Sequence, residues 1–138
     1  MKFLEKINAL FSFLIFFFVF PNYLYGKDLT GKHLVCDGPY EFTVRAFDFK
    51  TENTGIFYEI KKDKKWYIEK DEFKYVVTPD HINMTAKDKY IPQLSRKTLK
   101  LNNTRQCEIV DLKSRSMESF INFIMEDFKK KNEIKNKL

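Results

Sequence analysis

From Lys32 to Asp111 the chain is a succession of short runs in which apolar and polar residues alternate, each closed by turn-forming residues. Strict alternation puts successive side chains on opposite faces of an extended strand, so each run can bury one face and wet the other. "KHLVC" ends at Asp37-Gly38-Pro39, and "YEFTVRAFDF" follows with Tyr40, Phe42, Val44 and Ala46 on one face. "GIFYEI" leads into the turn "KKDKK" and then "WYIE". "FKYVV" stops at Thr78-Pro79-Asp80, with proline at its favoured turn position. "HINMTA" puts Ile82 and Met84 on one face, Pro92 in "KYIPQL" argues for an edge or bulge, and "TLKL" and "RQCEIV" finish the series. Runs recurring every ~8–12 residues, rich in Phe, Tyr, Ile and Val, predict a mainly β protein. The expected architecture is an antiparallel meander of about 8 strands, closed as a small barrel or stacked as a sandwich. In a barrel, Phe42, Phe57, Tyr75 and Ile82 would line the interior, either as a filled core or as a pocket.

The period changes at Ser114. Met117, Phe120, Ile121, Ile124, Met125 and Phe128 form one apolar stripe at helical spacing, predicting an amphipathic helix over 116–131. Ser116 suits the N-cap, Glu118 the positive end of the helix dipole, and Lys129, Lys130 and Lys131 the negative end. The stripe is expected to cover one face or mouth of the sheet. Phe123 falls off its centre.

The first residues read differently. Lys2 and Lys6 precede the apolar run from Ala9 to Phe20, followed by the breaker Pro21 and the small residue Gly26. This order predicts a secretory signal peptide over 1–26 and one mature domain over 27–138. Twelve helical residues span roughly 18 Å, short of the ~30 Å of a bilayer core. The expected location is therefore periplasmic or secreted, with no stable membrane insertion after cleavage.

Export gives the two cysteines a meaning. Cys36 lies in the first predicted strand and Cys107 in the last. In an oxidising compartment two cysteines of one small chain most often pair, so a Cys36–Cys107 disulfide is expected. No metal site is expected, since His33 and His81 are the sole histidines and neither has a CxxC or HxxxH partner.

The net charge of +6 is concentrated at the end, where "KKKNEIKNKL" carries five lysines against Glu133. A nucleic-acid binder needs a basic face on its folded body, and here a basic tail accounts for the excess, so no nucleic-acid partner is expected. No GxSxG, HExxH, P-loop or GxGxxG motif occurs, and neither an enzymatic site nor a cofactor is predicted. Glu69, Asp71 and Glu72 cluster beside Lys70 and Lys74 in what reads as a hairpin turn. Tyr58, Trp66 and Tyr67 form an aromatic group suited either to ligand stacking or to ordinary cross-strand packing.

"LTGKHLVC", "LSRKTLKL" before "CEIV", and the Lys/Asn-rich helical end resemble small exported proteins of unknown function from AT-rich bacteria. The shared features are a Gly-x-x-x-x-Cys first strand and an Arg-x-Thr-Leu-x-Leu hairpin before a second cysteine. "CDGPYEFTV", "TGIFY" and "LNNTRQC" are similar to the first strand, inhibitory loop and final strand of periplasmic C-type lysozyme inhibitors, small disulfide-closed β-barrels. In that family the loop begins with Ser and comes later; here Thr54-Gly55 arrives early. The expected function is non-enzymatic binding of a partner protein or small ligand in the cell envelope. The alternative is inhibition through a loop near Thr54-Gly55, with Thr54, Gly55, Tyr58, Trp66 and Tyr67 as the candidate surface.

Overall fold

The computed structural model describes residues 28–37 and 44–137; the expected signal peptide, and Tyr40 and Phe42, lie outside the described residues. Eight strands follow in order: β1 (His33–Asp37), β2 (Val44–Phe49), β3 (Thr54–Lys62), β4 (Trp66–Val77), β5 (His81–Thr85), β6 (Leu94–Ser95), β7 (Lys100–Leu101) and β8 (Arg105–Ile109). Each is antiparallel to its neighbour, and β8 returns to β1, so the meander closes into a barrel. The seam is where the two cysteines meet. Cys36 and Cys107 stand directly opposite each other in the β1–β8 register and are joined by a disulfide.

The strand pattern departs from the sequence reading in three places. "WYIE" and "FKYVV" are one strand: Glu69, Lys70, Asp71 and Glu72, expected in a turn, continue β4 through nine register pairs with β3. Extended backbone persists there because Glu69 and Asp71 point inward to cationic partners, while Lys70 and Glu72 face solvent. "KYIPQL" contributes only Leu94 to a strand, since Pro92 supplies no ladder donor. The helix α1 (Met117–Lys137) also runs past its expected end, as no Gly or Pro stops it and Lys131 pairs with Asp127 one turn back.

Closure leaves two packed layers. Inside, Phe47, Phe49, Phe57, Phe73 and Tyr75 stack with ring centroids 4.9–6.1 Å apart, walled by Leu34, Ile82, Leu94 and Leu101. Phe57, Tyr75 and Ile82 therefore line the interior as expected, and the described interior is a packed core. Outside, α1 lays Met117, Ile121 and Met125 on Val44, Ala46, Tyr58 and Ile60. Strand β2 is thus buried on both faces, with Phe47 and Phe49 inward and Val44 and Ala46 beneath the helix. The Ser119 N–H donates to Ser116 Oγ at 3.1 Å, so Ser116 is the N-cap. Phe123 is 64% exposed, off the stripe as read from spacing.

Candidate functional site

The five residues of the expected binding surface do not share one face. Thr54 and Gly55 open β3, Thr54 half-buried at the rim and Gly55 buried inside. Tyr58 is buried under the helix, and Trp66 packs against Phe128 with centroids 6.3 Å apart. Tyr67 points the other way and is 41% exposed. The aromatic group thus serves mainly the sheet–helix layer.

A groove of about 720 Å³ opens where the chain between β8 and α1 crosses the outer face of the sheet. Its floor is set by the β1–β2 register, which places His33 directly opposite Asp48. His33 Nε2 lies 3.2 Å from Asp48 Oδ1, and the Lys50 ammonium lies 2.7 Å from Oδ2. Asp48 is only 3% exposed, the one buried charged residue among the described residues. An unpaired carboxylate at such depth is costly, so His33 and Lys50 are what make it tolerable. The hydrogen bond to Asp48 in turn raises the Lys50 pKa above its ordinary value. Beside them, burial and the nearby Asp48 charge push the Tyr58 phenol up, so it stays a neutral donor. The Lys70 ammonium sits 5.8 Å from the Tyr58 ring and 3.7 Å from Glu118 on the first turn of α1.

Around that floor the groove is both cationic and apolar. Five cationic side chains (Lys32, Lys50, Lys70, Lys113 and Arg115) face three carboxylates (Asp48, Asp111 and Glu118). Ile56, Ile109 and Leu112 supply apolar wall. Asp111 Oδ1 accepts the backbone N–H of Lys113, and Lys113 and Ser114 both adopt positive φ, which turns the crossing chain sharply into the helix. The groove thus sets a cationic excess beside an apolar wall.

A second charged group closes one end of the barrel from inside. Lys89, on the connection between β5 and β6, places its ammonium 2.5 Å from Glu69, 3.3 Å from Glu59 and 3.3 Å from Asp71. It also stands 5.6 Å from the centroid of the Phe57 ring. Arg45 reaches Glu59 through Nε at 2.8 Å, and Lys61 reaches Glu69 at 2.8 Å. Burial would raise the Glu59 pKa, but Arg45 and Lys89 outweigh it and hold the carboxyl below its ordinary value. Hydrogen bonds from Lys61 and Lys89 do the same for Glu69. This is a plug, with every carboxylate matched to a cation. Among the described residues no group of three His, Cys, Asp or Glu is placed to hold a metal ion.

The chain matches no protein-family model, and neither the curated proteins nor the solved structures provide a match. The groove residues Asp48, Lys50 and Arg115 drew no notice in the sequence, because no motif links them. One signal was available. In "VRAFDF" both alternating sets are largely apolar, which marks a strand buried on both sides, and Asp48 is the charge within the covered set.

Proposed function

We propose that this chain is an exported, non-enzymatic β-barrel that binds a small acidic ligand of the cell envelope in the groove between α1 and the sheet. The carrying observation is the excess of five cations over three carboxylates around an apolar-walled groove of about 720 Å³. The packed ring stack inside the barrel turns ligand binding outward. Export is supported by the leader and by the disulfide, a bond that persists in oxidising compartments; among the described residues no helix is long and apolar enough to cross a membrane. Calorimetric titration with succinate and with inorganic phosphate tests the reading. Lys32 and Arg115 are exposed, so the double charge reversal Lys32→Glu/Arg115→Glu should leave folding intact and weaken binding at least ~10-fold, about 1.4 kcal/mol. Equal affinity in the reversed variant, or no heat with either acid at millimolar concentration, would remove the proposal.

A second reading, inhibition of a C-type lysozyme, draws on the turn before β3. Thr51 and Thr54 hydroxyls are 2.6 Å apart, the Tyr75 N–H donates to the Asn53 carbonyl at 2.9 Å, and the Tyr75 hydroxyl donates to the Thr51 carbonyl. An exposed turn so anchored is preorganised for docking. Unchanged lysozyme turnover in a large molar excess of the protein rules it out.

A further inference from the structure

The net charge of the chain is gathered at one end of the folded body. Trp66 opens β4 and packs against Phe128, which brings the tip of the β3–β4 hairpin beside the second half of α1. Lys62, Lys64 and Lys65 on that tip are exposed, as are Lys130, Lys131, Lys135 and Lys137 on the helix. With the half-buried Lys129, this end holds eight lysines and no arginine against four carboxylates, Asp63, Glu126, Asp127 and Glu133. Two of the four are matched within the helix, Glu126 by Lys129 and Asp127 by Lys131, each at 2.9 Å. Elsewhere the described residues are balanced, fourteen basic side chains against thirteen acidic ones, histidines aside. The excess is local.

Apolar groups stand among these lysines. Phe123, Lys130, Ile134 and Lys137 recur at i, i+7, i+11 and i+14, so they share the side of α1 turned away from the sheet. Phe123 and Ile134 are each more than half exposed, two of the five large apolar side chains left in the open among the described residues. Past Phe128, up to Lys137, only Lys129 and Asn132 are half-buried, so the last turns run clear of the sheet. We infer that this side of α1, with the hairpin tip, is an adsorption surface for an anionic lipid bilayer, the helix lying in the headgroup plane. Phe123 and Ile134 then dip toward the acyl boundary while the lysine ammonium groups meet the headgroup phosphates. Lysine carries a point charge on a flexible stem, which suits a diffuse charged surface. A nucleic acid is less well served, since the arginine fork is missing from this end and Ile134 has no ring on which a base could stack. The inference does not rest on the groove.

Cosedimentation with vesicles tests it, using phosphatidylcholine alone and phosphatidylcholine mixed with phosphatidylglycerol. At ~0.1 M salt the protein should favour the anionic vesicles at least ~10-fold, and that preference should fade toward ~0.5 M. Lys130→Glu/Lys137→Glu should weaken binding to anionic vesicles by ~10-fold or more, at about fivefold per lysine. Lys87 and Lys100 are exposed outside this end, so Lys87→Glu/Lys100→Glu makes the same charge change and should stay within about twofold of wild type. Phe123→Ser/Ile134→Ser should also weaken binding, by removing the groups that enter the boundary. Should the lysine pair fold poorly by circular dichroism, the apolar pair still decides. Equal binding by all variants would assign adsorption to another part of the chain, the run from Ala9 to Phe20 included, and overturns the inference. So does indifference to lipid charge, or retention of DNA by the same lysines while vesicles of both kinds are ignored.

Discussion

Gly55 shows how one missing side chain sets the interior. A Cβ built there would lie 2.5 Å from the Asp48 carbonyl oxygen and 2.5 Å from the tip of the Phe73 ring. Phe73 lies over this bare backbone, in edge contact with Phe47 and Phe49. Gly55→Ala should therefore cost about 1–3 kcal/mol, by displacing the ring stack against backbone that cannot move aside; urea melts of the two proteins read it directly. Glu59 gives a prediction in pH. Its folded pKa lies below the ordinary value of 4.5, so its stabilising contribution is complete above that value and is lost as pH falls through the lower folded value. Stability curves of wild type and Glu59→Gln should be separated near neutral pH and converge in acid. Parallel curves would mean that Arg45 and Lys89 do not act on this carboxyl as charges.

At the scale of elements, the helix separates a core stripe from an exposed one. Ile121 is 1% exposed between Val44, Tyr58 and Ile60, whereas Phe123 is 64% exposed. Ile121→Asp buries an unpartnered charge and should cost several kcal/mol, while Phe123→Ser should fall within about 0.5 kcal/mol of wild type. Thermal melts compare them, and equal melting of both variants would show that α1 does not belong to the core. The helix was legible in the sequence because six apolar residues kept one period, and the N-cap was legible because serine is a favoured cap just ahead of that stripe; its hydroxyl does accept the Ser119 N–H. The length of β4 was not. Charged residues between two apolar runs read as a turn, and only the tertiary partners Lys61 and Lys89 make Glu69 and Asp71 fit an extended strand. The groove was illegible for a related reason. Its residues come from β1, β2, β3, β4, β8, the first turn of α1 and the segments flanking them, and the registers that bring His33 to Asp48 are absent from any local pattern.

For the whole molecule, the disulfide and the groove belong to one construction. Cys36–Cys107 ties the first strand to the last across a separation of 71 residues, fixing β8 and hence the chain that leaves it to form the groove wall. Loop-entropy reasoning gives the bond ~4 kcal/mol, so the Cys36→Ala/Cys107→Ala protein should lose about that much in denaturant melts. The central claim is that ligand binds outside a packed barrel, and an amide-resolved NMR titration of the protein with succinate addresses it most directly. The account predicts shifts confined to residues 31–33, 48, 50, 56, 58, 70 and 109–118, the lining of the groove. Shifts centred instead on Phe47, Phe57 and Phe73 would place the ligand inside the barrel and contradict it.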